Sequence, residues 1–180
     1  MKYYAGIGPR SSPSDVQHSM KSIARQLSPT GWCLRSGNAT GADQAFQRGA
    51  TQKNIFLPFQ NFNFMFADNK TAAYVEPCEQ QIEIAARHHP AWKNCSDVAK
   101  ALLARNVLII LGEHLDDPVE MVVTWFPEGY SGGTMHALRI ASTYGIPVFN
   151  IRELDDLTAM AKFIMNSENR ANQNQQKKAA

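Results

Sequence analysis

Along the first sixty residues, short apolar runs alternate with longer stretches in which apolar side chains recur every three or four positions. "KYYAGIG" is a run of aromatic and branched residues that ends on glycines, and "PRSSPSD" then turns the chain. A helix follows. Ser14 with Gln17 forms a capping-box pattern, and Val16, Met20, Ile23, Ala24 and Leu27 recur on one face until Pro29 and Gly31 stop it. "GWCLRSG" predicts a second strand, "GADQAFQRG" a second helix and "KNIFLP" a third strand. Such alternation favours an α/β, Rossmann-like three-layer fold, with a mostly parallel central sheet flanked by helices.

The pattern breaks at residues 59–77, a polar and aromatic stretch without helical period and longer than most connections. Helices are expected over 78–88 and 96–106, separated by "HPAWKN", where Pro90 forbids continuity. "NVLIILG" reads as the clearest buried strand in the chain, and "EMVVTWFPEG" as a further one. "GGTMHALRIASTYG" predicts a helix between glycines, "IPVFNI" the last strand, and "DDLTAMAKFIMN" a closing helix with acids at the positive end of its dipole. Residues 1–166 read as one domain, and 167–180, rich in Asn, Gln and Lys, as a disordered polar tail.

Composition changes this picture little. With 180 residues, 44% apolar and 19% charged, the chain has ordinary globular content. No signal-peptide pattern and no apolar run of membrane-spanning length occur, so a cytoplasmic protein without membrane contact is expected. The odd set Cys33, Cys78 and Cys95 suggests reduced thiols. The net charge of +2 comes from the tail. Residues 1–60 carry seven basic and two acidic side chains, and residues 61–166 carry eight and thirteen, so the first third could face phosphates although the chain is no polycation.

Candidate chemistry lies in the glycine-rich junctions. In "SGNATGAD", Gly37 leaves a strand and Gly41 opens a helix whose first turn holds Asp43. Helix N-termini present unpaired amides and positive potential, which suit a phosphate if no β-carbon blocks its approach. "GYSGGT" repeats that arrangement, with hydroxyls from Ser131 and Thr134, and "GIGPR" ends the first strand beside Arg10. All three lie where a parallel sheet gathers its ligand loops. Taken singly, each glycine could simply serve a tight turn.

"YAGIGPRSSP", "GWCLRSGNATGADQAFQRGA", "HHPAWKN", "LLARNVLIILG" and "GGTMHALRIASTYGIPVFNI" together resemble the DprA-like proteins encoded by many phages, members of the SLOG superfamily. That superfamily also includes the bacterial DNA-processing protein DprA and the "lonely guy" phosphoribohydrolases. The resemblance implies a Rossmann-like sheet whose glycine loops bind nucleotides or their derivatives, and a homo-oligomer in a host cytosol. It makes Gly6, Gly8 and Arg10 a first ligand loop, and Ser36, Gly37, Asn38, Gly41, Ala42 and Asp43 a second. Ser131, Gly132, Gly133 and Thr134 form a third, phosphate-binding loop. The phosphoribohydrolases resemble "PGGxGTxxE" there, and Ala137 stands where their catalytic glutamate falls. Glycosidic cleavage by that mechanism is therefore disfavoured, with Glu128, Asp43 or Glu113 as substitute acids or bases.

Other residues carry weaker signals. His88, His89, His114 and His136 lack metal-ligand spacing, so neither a metal nor a cofactor is expected. Phe62, Phe64 and Trp92 could form a lid or stack on a base, or, with Phe59 and Phe66, pin the long loop to the core. Arg105 and Asn106 read most simply as the end of a helix, with orientation of the ligand loops as the other option. The leading expectation is a binding protein for a nucleotide or ADP-ribose-type molecule, a phage-encoded sponge for a host immune signal. The rivals are a DprA-like single-stranded DNA binder or recombination mediator, and an N-glycosidic (phosphoribosyl) hydrolase.

Overall fold

The computed structural model describes the backbone of residues 1–68 and 70–179. Six strands form one sheet: β1 (Lys2–Ile7), β2 (Trp32–Ser36), β3 (Lys53–Leu57), β4 (Ala72–Tyr74), β5 (Met121–Thr124) and β6 (Val148–Asn150). Their order is β4-β3-β2-β1-β5-β6, and every neighbouring pair is parallel. The chain thus winds outward from β1 to β4, then returns to place β5 on the other side of β1. A crevice opens at such a reversal, outside the carboxyl ends of β1 and β5.

Six helices cover the sheet: α1 (Ser14–Leu27), α2 (Ala42–Gly49), α3 (Glu79–Arg87), α4 (Asp97–Leu111), α5 (Gly133–Thr143) and α6 (Leu154–Ala179). Successive strand side chains point to opposite faces, so two cores form. Tyr4, Leu34, Met121 and Val123 pack with Met20 and Ala24 of α1, Ala45 and Phe46 of α2, and Met160 of α6. On the other face Ala5, Ile7, Phe56 and Val122 pack with Ala85 of α3, Val107 to Leu111 of α4, and Ile140 of α5. Burial on both faces explains the nearly continuous apolar strands. The expected three-layer α/β fold is what the chain adopts.

Three expectations are corrected. "NVLIILG" is the second half of α4, not a strand. Ser96 caps that helix by accepting the Ala99 amide at 3.3 Å, and Gly112, at φ +85°, ends it. A run buried all round shows no period by which a helix and a strand differ, and length decides. The edge strand β4 lies inside the stretch expected to be irregular, where Asp68 gathers the amides of Lys70, Thr71 and Ala72 within 2.9 Å and aims the chain along β3. The capping box does not form; Pro13 precedes α1, and Gln17 donates instead to the Ser12 carbonyl at 2.8 Å. α6 runs on through residues 167–179. Gln, Lys, Arg and Ala are good helix formers, and Ser167 is buried, so the helix does not stop at 166.

Two buried polar groups tie the α4 face together. The Arg35 guanidinium lies 3.7 Å over the Tyr3 ring and bonds both the carbonyl and the carboxylate of Asp117, holding the α4–β5 loop to β2. His136 of α5 is fully buried and lies 2.9 Å from the Ala85 carbonyl of α3 through Nε2. Bonding a carbonyl requires the proton on Nε2, which leaves Nδ1 bare and without a partner.

Protonating that buried nitrogen is costly, and desolvation, reinforced by His89, His88 and Arg139, pulls the His136 pKa down to about 4. Between the unfolded value near 6.5 and 4, the unfolded chain binds a proton that the native chain refuses. This contribution is complete at pH 7 and is lost as the pH falls through that window, by roughly 3 kcal/mol at most. Urea unfolding from pH 7 to pH 4 should show the decline, and His136→Gln, which retains a donor for Ala85, should remove that share of it.

Candidate functional site

The loops leaving β1, β2 and β5 meet α4 around one cavity of about 510 Å³ at the β1/β5 crevice. Gly8, Pro9, Arg10 and Ser11 line it from β1, Ala39 and Asp43 from β2, and Tyr130, Gly132, Gly133 and Thr134 from the start of α5. Ala99, Leu102, Leu103, Arg105 and Asn106 of α4 form the facing wall, with His89 and Cys95 from the α3–α4 connection.

The cavity floor holds an ion pair. Arg105 Nη1 stands 3.4 Å from Asp43 Oδ2, and both side chains are at least nine-tenths buried. Asp43 Oδ2 also accepts the Ala39 amide at 3.1 Å. Burial raises the Asp43 pKa and lowers that of Arg105, while their mutual attraction opposes both shifts. Arg105 Nε is buried without a partner among the described residues. With Arg10 at the mouth, the cavity is lined by two arginines and one carboxylate.

The glycine junctions serve different ends. At Gly37 a β-carbon would lie 0.9 Å from Arg105 Nη1, so glycine is needed to seat the guanidinium. Gly41, at φ +80°, would place one 2.3 Å from the Arg10 carbonyl, and the Ala42 amide donates to the Pro9 carbonyl at 3.3 Å. The second junction is therefore spent on holding the first loop. The third differs: a β-carbon on Gly133 would meet nothing within 4 Å. The first amides of α5 have no intrahelical acceptors. Asn106 donates to the Gly133 carbonyl at 3.1 Å and fixes that turn against α4.

Of the sequence-derived candidates, the cavity gathers Gly8, Arg10, Asp43, Gly132, Gly133 and Thr134. Gly6 lies against Phe46 in the core, Ser36 donates to the Gly6 carbonyl at 2.7 Å, and Ala42 is buried in α2. Asn38, at φ +60°, donates to the Phe62 carbonyl at 2.9 Å, and Ser131 is exposed outside the lining. Phe62 is a pin, buried edge-on to Phe59 at 5.3 Å, while Phe64 is 94% exposed on a groove with Arg48 and Lys53. Trp92 is half-buried against the α4 core and does not line the cavity. Ala137 forms part of the wall; Glu128 is exposed and paired with Arg152 at 3.8 Å, and Glu113 is exposed beyond the far end of α4. Among the described residues no group of three or more His, Cys, Asp or Glu is placed to hold a metal ion, and no helix is long and apolar enough to cross a membrane.

Sequence reasoning missed the contribution of α4. As in the second option read from the sequence, Arg105 and Asn106 hold the loops after β2 and β5 from the middle of a helix, not its end. The signal was present, since two polar residues interrupt an otherwise apolar run, but it required α4 to be recognised as one helix. His89, Cys95 and Tyr130 were not among the residues expected to line the cleft. Asp43→Asn should cost about 3 kcal/mol in chemical denaturation, because it leaves the buried guanidinium without its counter-charge. Adding Arg105→Met should restore most of that loss, whereas two independent sites would give additive losses.

No protein-family model matches the chain, and no curated protein matches it. Among solved structures, the fold is similar to that of DNA processing protein A from Helicobacter pylori, described for its single-stranded DNA binding mode. The two are 19% identical, the match covers 96% of this chain and 81% of that one, and the TM-score is 0.57. At that identity the likeness establishes a shared DprA-like fold.

Proposed function

We propose that the chain binds a nucleotide, free or of ADP-ribose type, in the β1/β5 cleft and holds it without cleaving it. The carrying observation is a cavity lined by Arg10, Arg105 and the open start of α5 against a single carboxylate. A phosphate suits the α5 amides and Arg10, since helix start and guanidinium both favour an anion. The apolar wall of Ala99, Leu102, Leu103 and Ala137 offers a surface for a base or ribose, and Tyr130 flanks the mouth. The volume is of ligand size.

Retention without turnover is supported by the state of the cavity's one carboxylate. Asp43 is engaged by Arg105 and the Ala39 amide, and Ala137 supplies only a methyl where the phosphoribohydrolases carry glutamate. In the setting of the phage proteins that the sequence resembles, such a protein serves as a sponge for a host immune nucleotide signal. Calorimetry with AMP and ADP-ribose should give stoichiometric binding, with ligand recovered intact by chromatography. Arg10→Ala should weaken binding roughly tenfold to a hundredfold. Product accumulating over many turnovers, or full affinity in Arg10→Ala, would refute this reading.

Single-stranded DNA binding is a second reading, favoured by the DprA-like fold and by Phe64. That side chain is held at φ +61° and is 94% exposed, beside Arg48 and Lys53, as a stacking ring flanked by cations would be. Oligonucleotide anisotropy should then fall steeply with salt, and Phe64→Ala should weaken it by about 1–3 kcal/mol. No binding at low salt removes this reading.

A further inference from the structure

The wall of the cleft contains a thiol–imidazole pair that the proposed binding role does not use. Cys95 Sγ lies 3.6 Å from His89 Nδ1 and 3.5 Å from the Ala91 carbonyl, and both Cys95 and His89 line the cavity. The Ala91 amide donates to the same Nδ1 at 3.3 Å. An N–H pointing at Nδ1 identifies it as the ring's unprotonated nitrogen, whose lone pair the Ala91 amide shares with the thiol, while the S–H also has the Ala91 carbonyl as an acceptor. The pair is held by the turn around Pro90, where the His89 carbonyl accepts the Trp92 amide at 3.3 Å and the Trp92 carbonyl accepts the Cys95 amide at 3.1 Å.

The other cysteines differ. Cys33 is buried in β2, and desolvation raises its pKa, which disfavours the reactive thiolate. Cys78 is exposed immediately before α3. Cys95 alone combines partial exposure, a ring nitrogen at hydrogen-bond distance and a cavity beside it. The same cavity is also lined by Arg10 and by Arg105, which is 6% exposed.

We infer that Cys95, with His89 as its proton acceptor, is a site of reversible S-thiolation by a low-molecular-weight disulfide, and that the adduct occupies the cleft mouth and excludes its ligand. The step is an exchange. The Cys95 S–H proton passes to His89 Nδ1, and Sγ attacks one sulfur of the disulfide. A new S–S bond forms as the old one breaks, and the departing thiolate takes the proton back from His89. A small thiol reverses the reaction, so the adduct acts as a redox-sensitive stopper. The thiol chemistry stands by itself; its effect on ligand binding rests on the nucleotide reading.

The test uses the full chain and oxidised glutathione. Peptide mapping by mass spectrometry should show Cys95 thiolated about tenfold or more faster than Cys78, with Cys33 reacting only after denaturation. His89→Gln, checked for native unfolding behaviour, should bring the Cys95 rate down to that of Cys78. Saturating AMP should slow thiolation of Cys95, and the thiolated protein should regain AMP binding on reduction. Equal rates at Cys95 and Cys78, or an unchanged Cys95 rate in His89→Gln, overturn the thiol site even if AMP binds. Fast, His89-dependent thiolation that AMP does not affect leaves the thiol site standing and overturns the cleft as the nucleotide's position.

Discussion

The ion pair between Asp43 and Arg105 crosses the carboxyl edge of the sheet from one helical layer to the other. α2, which carries Asp43, packs on one face, and α4, which carries Arg105, packs on the opposite face. Each charge is expensive to bury alone, and neither helix can shift without exposing its partner's charge to an apolar setting. The pair therefore fixes the spacing of the two layers where the loops leave β1 and β2. The bare Gly37 beneath the guanidinium and the Ala39 amide on the carboxylate belong to the same device.

This arrangement accounts for the unequal fates of the three glycine junctions. The loop after β2 is consumed in structure: its helix start receives the Pro9 carbonyl, and its acid is committed to α4. In return the loop after β1 is held rigidly enough to present Arg10 at the cleft mouth. The junction before α5 has no such obligation, because Asn106 fixes it through a carbonyl and leaves its amides alone. One helix N-terminus is spent on architecture so that another can stay open.

Much of the fold was legible because the first half of the chain follows the periodicities of exposed helices and two-face-buried strands. Met20, Ala24 and Leu27 mark a helix face, and the apolar runs at β1, β2 and β3 mark a parallel sheet. The second half misleads where burial is complete. Residues 107–111 are apolar in every direction, so nothing in their pattern distinguishes a helix between α3, α5 and the sheet from a strand within it. β4, only three residues long, depends on a turn built by Asp68 and leaves little trace in hydropathy. The site was legible as its glycine loops and Arg10. Its facing wall was not, because Arg105 and Asn106 reach the cleft only once α4 is one continuous helix. Cys95 and His89 meet only because a turn at Pro90 folds six residues back on themselves.

The charge balance of the cleft argues for a ligand that brings its own anion. Asp43 answers Arg105 through one nitrogen at 3.4 Å, and Nε of the same guanidinium is left over. A buried donor without an acceptor costs free energy comparable to a lost hydrogen bond, and α5 adds positive potential nearby. In the proposed reading, a phosphate answers Arg10 and the α5 amides together while offsetting the excess positive charge. The one carboxylate on the floor is engaged from two sides and is not free to carry a proton. The ion pair that fixes the two layers thus also ties up the carboxylate of the cleft.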